Sequence, residues 1–309
     1  MKICLIDAGV FIEKPELMRP LERYAEVVVW HGVPQSYNEV IQRAYDSEVI
    51  AFGIMQFTNE MLDGLPNLKV LQFIGTGVWN FVDVSYAQRK GIRVLNIDGY
   101  GSNAVAEFAV AMAFTLSKKI QEGDSVVKKG LWEIEGLKGK EISASTVGVV
   151  GTGNIGRLVA EKFANLKAKV VACDIYENEY LKEKYEIKYV SLQELFSMSD
   201  IITLHMKVTE ENTRLIDRKY LGLMKRDSIL VNVARAELMN NEDLYKALLR
   251  KEIGGAAIDL YENEPPAKRD LLLAQLENVL STPHIAYYTQ EANDNSIKMI
   301  VNSIIEAIA

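Results

Sequence analysis

Thr146-Val-Gly-Val-Val-Gly151-Thr-Gly153-Asn-Ile-Gly156, running on to Lys169-Val-Val-Ala-Cys-Asp174, decides the fold of this chain. Val147 to Val150 form the short apolar run of a buried parallel strand, and it leads directly into the three glycines. Leu158, Val159 and Phe163 then recur at helical spacing, and a second β-branched run stops at Asp174. The unit reads strand, glycine turn, helix, strand, acid. Gly151 permits the tight turn, Gly153 leaves no Cβ between backbone and a pyrophosphate, and Gly156 lets the helix pack close to its strand. The helix N-terminus, through Thr152, Asn154 and Ile155, turns free N–H groups and the positive end of its dipole toward the anion. Asp174 falls where a carboxylate accepts from the adenosine ribose hydroxyls and would repel a 2'-phosphate. Ile175, Tyr176 and Glu177 add no cation to receive such a phosphate, so NAD(H) is expected over NADP(H).

A chain of 309 residues, 49% of them hydrophobic and 25% charged, suits two globular domains. Its net charge of −7 and pI near 5.3 argue against nucleic acid or an anionic membrane as partner. Met1 to Asp7 does not read as a signal peptide, and no apolar run is long enough to span a membrane, so a cytoplasmic location is expected. Cys4 and Cys173 fall in predicted strands and read as small core residues rather than as disulfide partners or metal ligands; no metal site is expected.

Ahead of the fingerprint, Ile3–Ile6, Val27–Trp30, Val49–Phe52, Val70–Ile74 and Val94–Ile97 alternate with helical stretches, which predicts a parallel sheet of about five strands. Residues 99–117 predict a turn and an alanine-rich crossover helix capped by Ser102 or Asn103. Residues 118–145 predict a second helix and an extended arm around Trp132, which serves either a subunit contact or packing on its own domain. Beyond Thr146 the alternation continues through 200–205, 228–234, 254–260 and 279–282 and completes a second doubly wound sheet. The final helix, 289–308, has no strand of its own to cover and is expected to pack back on the first domain.

Ligands of such sheets sit outside the carboxyl ends of the strands, and three ends carry Arg235, Glu264 and His284. With the Gly75-Thr-Gly77 turn, Val105-Ala-Glu107, Leu204-His-Met-Lys207, Asn232-Val-Ala-Arg235, Asp259 to Pro265 and Thr282-Pro-His-Ile285, the chain resembles the NAD-dependent D-2-hydroxyacid dehydrogenases over essentially its whole length. The branches it most resembles are the D-lactate dehydrogenases and the glyoxylate and hydroxypyruvate reductases. That resemblance implies an α/β architecture in which a Rossmann-type cofactor domain, 99–286, is inserted into a flavodoxin-like substrate domain made of 1–98 and 287–309. It assigns catalysis to Arg235, Glu264 and His284, and adds Ala234 and Asp259 to the cofactor contacts. Substrate would be held by Gly75, Thr76, Gly77, Val78, Tyr100 and Arg235. The residue types suit the reaction. A hydride delivered to C2 of a 2-keto acid develops negative charge on oxygen, so a proton donor and a fixed cation are wanted. His284 exchanges the proton, Glu264 orients the ring, and Arg235 offers a planar fork to the carboxylate. His205 and His31 are read as structural.

Three departures from the family bear on pocket shape: Trp79 in a glycine loop one residue longer than usual, Ala236 in place of glycine, and Lys207 in place of proline. No Lys or Arg lies between Val49 and Leu68, and Ile54, Met55 and Trp79 make the expected wall apolar. The expected substrate is a small unphosphorylated 2-keto acid, and the family habit implies a homodimer. A dinucleotide-sensing regulator or scaffold on the same fold is the competing reading.

Overall fold

The computed structural model describes residues 1–7 and 12–309. The chain divides into two compact units, one of Met1–Gly101 with Tyr288–Ala309 and one of Ser102–Tyr287. In the first, β1 (Lys2–Leu5), β2 (Glu26–Val29), β3 (Val49–Phe52), β4 (Val70–Phe73) and β5 (Arg93–Leu95) form a parallel sheet in the order β2-β1-β3-β4-β5. β3 and β4 are buried on both faces, which is why they read as nearly unbroken apolar runs. Gln72 is the exception inside β4 and is fully enclosed; its amide donates to the Phe73 carbonyl at 2.9 Å and accepts from Ser303 Oγ at 2.7 Å. Ser303 belongs to the C-terminal helix Gln290–Ile308, so a buried polar pair fastens that helix to the first sheet. Thr289 caps the helix through Ala292 N at 3.2 Å, and Ile297, Ile300, Val301 and Ile304 are its buried face.

The second unit holds β6 (Thr146–Val150), β7 (Lys169–Cys173), β8 (Lys188–Tyr189), β9 (Ile201–Leu204), β10 (Ile229–Asn232), β11 (Gly255–Ile258) and β12 (Val279–Ser281). All run parallel in the order β12-β11-β10-β9-β6-β7-β8, the arrangement of dinucleotide-binding sheets, with strand order reversing between β6 and β9. The edge strand β8 is only two residues long and carries no apolar run, so sequence periodicity does not reveal it. The helix Ser102–Ser117 buries Ala106, Ala109 and Ala113 against the helix Asn154–Asn165 and strands β10 and β11, where small side chains let backbones come close. Ser102 is the first residue of that helix rather than the cap ahead of it. Past the helix Ile120–Lys128, Trp132 is 89% and Ile134 85% exposed, so these two side chains do not pack on their own unit, whereas Ile142 further along the arm is buried in its core. Among the described residues, no helix is long and apolar enough to cross a membrane.

Candidate active site

The turn after β6 is shaped by what each glycine would meet. A side chain at Gly151, whose φ is +88°, would strike the His205 backbone at 2.8 Å, and one at Gly156 would strike the Gly151 carbonyl at 1.8 Å. Gly153 differs: a Cβ there would meet nothing within 4 Å. Its face opens outward at the start of the helix Asn154–Asn165, where Gly153, Asn154 and Ile155 have N–H groups with no acceptor among the described residues. An open face beside unsatisfied donors at the positive end of a helix dipole fits a pyrophosphate.

Thr152 takes a different part. Its N–H and hydroxyl both donate to Asp174 Oδ2, the N–H at 2.5 Å and the hydroxyl at 3.1 Å, and its side chain is buried. Tyr189 of β8 donates to Thr152 Oγ1 at 2.9 Å. The carboxylate at the end of β7 is therefore tied to the glycine turn, while Oδ1 accepts one bond, from Tyr176 N at 3.2 Å, and keeps capacity for a diol. Ile175 and Tyr176 beside it are 88% and 81% exposed. These residues fit an adenosine ribose without a 2'-phosphate.

His205, beneath the same turn, shares a hydrogen bond of 2.8 Å between Nε2 and Thr203 Oγ1, and its Nδ1 is buried without a partner. Burial pushes its pKa down to about 3, so the ring is neutral under working conditions. His31 lies exposed, away from any core.

His284 and Glu264 meet: His284 Nδ1 and Glu264 Oε2 are 2.7 Å apart. Burial alone raises the Glu264 carboxyl, but the hydrogen bond and charge of His284, the Tyr261 N–H and the charge of Arg235 together hold it below its ordinary range. An ionised Glu264 is acceptor only, so Nδ1 carries the proton and Nε2 faces away from the pair. Both side chains keep about two-fifths of their surface exposed, 40% and 39%, so the ring is reachable.

Asp259, expected among the cofactor contacts, is fully enclosed. Its Oδ1 accepts from Thr282 Oγ1 at 2.5 Å and Ile285 N at 3.0 Å, and its Oδ2 from Ala286 N at 2.9 Å. Its carbonyl accepts from His284 N at 2.8 Å. Both oxygens are thus committed to the loop that carries His284. That loop holds His284 at φ +53°, a left-handed conformation costing a side-chain-bearing residue roughly 1–2 kcal/mol, and the clasp around it keeps it there.

Arg235 follows β10 through a turn made by Asn232, which is buried. Asn232 Oδ1 accepts from Ala234 N at 3.0 Å and its amide donates to the Arg235 carbonyl at 2.8 Å. Arg235 Nη1 donates to the Ala234 carbonyl at 2.7 Å, which steers the guanidinium back along its own turn. Ala236 is buried at the start of the next turn, so a methyl fits where the family has glycine. Lys207 is exposed, and its carbonyl accepts from Asn212. The internal use of Asp259 was not assigned from sequence, since its partners are backbone groups of a distant loop; Asn232, also unassigned, bonds the backbone of its own turn at Ala234 and Arg235.

In the first unit, Gly75, Thr76 and Gly77 follow β4, and no acceptor among the described residues meets their N–H groups. Val78 is buried, its N–H directed to the Thr76 carbonyl at 3.2 Å. Tyr100, in the turn that follows β5 in the chain, is half-buried.

Residues 110–286 match the family of the D-isomer specific 2-hydroxyacid dehydrogenase, NAD binding domain. The chain belongs to the D-isomer specific 2-hydroxyacid dehydrogenases. Within this family it is 34% identical over 300 residues to the D-3-phosphoglycerate dehydrogenase of Archaeoglobus fulgidus, an alignment covering 97% of this chain and 52% of that protein. The chain thus spans about half the length of that relative. It is 30% identical over 291 residues to the glyoxylate reductase of Korarchaeum cryptofilum, covering 92% of this chain and 87% of that one. A solved D-lactate dehydrogenase from Aquifex aeolicus, complexed with NAD and lactic acid, superposes with a TM-score of 0.83 at 28% identity over 100% of this chain and 95% of that chain. The two parallel-sheet units are those of D-2-hydroxyacid dehydrogenases, NAD-dependent oxidoreductases of 2-keto and 2-hydroxy acids.

Proposed function

We propose that this chain interconverts a small unphosphorylated 2-keto acid and its D-2-hydroxy acid, with His284 as general acid and base. The observation that carries the reading is the 2.7 Å pair of His284 and Glu264, which leaves Nε2 free to exchange a proton. NAD, when bound, supplies or accepts the hydride at C2. During reduction His284 Nε2 gives its proton to the carbonyl oxygen as C2 takes the hydride, leaving an alcohol and a neutral ring. Glu264 accepts from Nδ1 and so fixes the orientation of the ring. Arg235 pairs with the substrate carboxylate and polarises the keto oxygen. The Gly75–Val78 turn contributes backbone donors to the same carboxylate, and Tyr100 contributes to the substrate site.

Ser102–Tyr287 is then the cofactor unit and Met1–Gly101 with Tyr288–Ala309 the substrate unit. Within the former, Gly151 to Gly156, Asp174 and Ala234 line the cofactor, and Asp259 orders the loop beside it. The exposed Trp132 and Ile134 support a homodimer built on the 118–145 arm, to be checked by light scattering. The free Cys4 and Cys173 suit a reducing cytoplasm, to be checked by fractionation.

The test is NADH oxidation on addition of pyruvate, glyoxylate, hydroxypyruvate and short aliphatic 2-keto acids, run in parallel with NADPH. Turnover of at least one with NADH is expected. Measurable NADH binding without any turnover would return the chain to the dinucleotide-sensing reading.

A further inference from the structure

In sheets of the order β2-β1-β3-β4-β5, ligands bind outside the carboxyl ends of the strands where the order reverses, between β1 and β3. Asp7 stands just past β1, and Gly53-Ile54-Met55 just past β3. Asp7 is fully buried; its Oδ1 accepts from Gly53 N at 2.8 Å, and its Oδ2 from Ile54 N at 2.8 Å and Met55 N at 2.9 Å. Three successive backbone N–H groups that converge make a concavity suited to an anion. Here the chain fills it with a carboxylate of its own.

The loop is also fixed from its other sides. β3 and β4 pair up to Phe52 and Phe73, and beyond the loop Phe57 bridges to Val82, with Phe57 N donating to the Phe81 carbonyl at 2.7 Å. Phe57, Phe52, Phe73 and Phe81 pack in that order beneath it, with successive ring centroids 4.9, 5.2 and 4.7 Å apart. Of the residues these loops present outward, Ile54 is 41% and Trp79 66% exposed, beside the polar Gln56 and Asn80, and none is cationic.

We propose that Asp7 is a specificity-determining residue that acts through the 53–55 loop. By occupying those three N–H groups it denies them to a second anionic group on the substrate. The chain therefore selects monoanionic 2-keto acids over dicarboxylic and phosphorylated ones. The inference rests on the keto-acid reductase reading above, and Asp7 is a positioning residue, since it touches the loop and not the reacting atoms.

Two measurements test it on the full-length wild type, D7S and D7N. The first compares kcat/KM for 2-ketobutyrate, a monoanion, with that for 2-ketoglutarate, a dianion. The wild type should favour the monoanion by about tenfold or more, and D7S should raise the dianion-to-monoanion ratio by about tenfold, the size of one charge-assisted hydrogen bond. D7N keeps one acceptor without the charge and should fall between. Equal use of the two acids by the wild type, or an equal loss on both in the variants, overturns the proposal, and the wild-type comparison holds even where a variant does not fold. The second measures thermal stabilisation by sodium sulfate against sodium chloride at equal ionic strength. D7S should gain a sulfate-specific rise that the wild type lacks; identical responses count against the vacated N–H groups as an anion site. This readout needs no turnover, so an inactive wild type sinks the reductase reading and leaves the loop chemistry to be judged by sulfate.

Discussion

Asp259 Oδ1 accepts the Ile285 N–H at 3.0 Å, and through that bond a fully buried carboxylate sets the backbone next to His284 without touching the imidazole. Replacing it with Asn keeps the shape but turns an amide toward donors that need an acceptor. Asp259→Asn should therefore lose about 1–3 kcal/mol of stability and lower kcat more than it weakens NADH binding. Denaturant melts together with single-turnover rates check this; a destabilised variant with unchanged kcat would show that the clasp does not govern the histidine.

The Glu264 carboxyl titrates below its ordinary value of 4.5, so the pair with His284 is intact above that value and is lost as pH falls through the lowered one. A carbon-detected NMR titration of the Glu264 carboxyl should give a midpoint under 4.5. Glu264→Gln, which retains an acceptor without the charge, should reduce kcat by about 10- to 100-fold.

Removing the proton donor altogether is more severe. His284→Gln should lower kcat by about 10²- to 10⁴-fold with little change in NADH affinity measured by fluorescence quenching. Wild-type turnover in that variant contradicts its role as acid and base.

Arg235→Lys retains a charge and loses the planar fork. Its kcat/KM should fall by about 10- to 100-fold, chiefly through KM for the keto acid. Full activity would place the substrate carboxylate elsewhere.

His205, with a pKa near 3 against 6.5 for a free ring, binds its proton more readily in the unfolded chain. Between those values it makes stability fall as pH falls, by up to about 1.4 kcal/mol per pH unit. Urea unfolding at a series of pH values should show a shallower dependence for His205→Gln than for the wild type, and parallel profiles would remove this account.

Local patterns go far in this chain because a parallel strand buried on both faces must be written as a continuous apolar run, and a glycine turn must be written as glycines. Val147–Val150, Gly151, Gly153, Gly156 and Asp174 announce their own geometry, and so do most strands of both sheets. Arg235, Glu264 and His284 were found by their place after such strands. β8 escaped, because two residues carry no period, and so did the helical start of Ser102, because a serine there suits either side of a helix boundary.

What a side chain bonds to was not legible in the same way. Asp7 and Asp259 are each one acid after an apolar run, and nothing near them in sequence names the N–H groups of 53–55 or of 285 and 286 as partners. The chain order thus determined the strands, the glycine turn and the types of reacting group, since those are fixed by steric and hydrophobic demands within a few residues. Only the tertiary structure decided which carboxylate stays exposed beside an imidazole and which is enclosed to hold a loop, because a hydrogen bond between loops forms only after the sheets have brought their strand ends side by side.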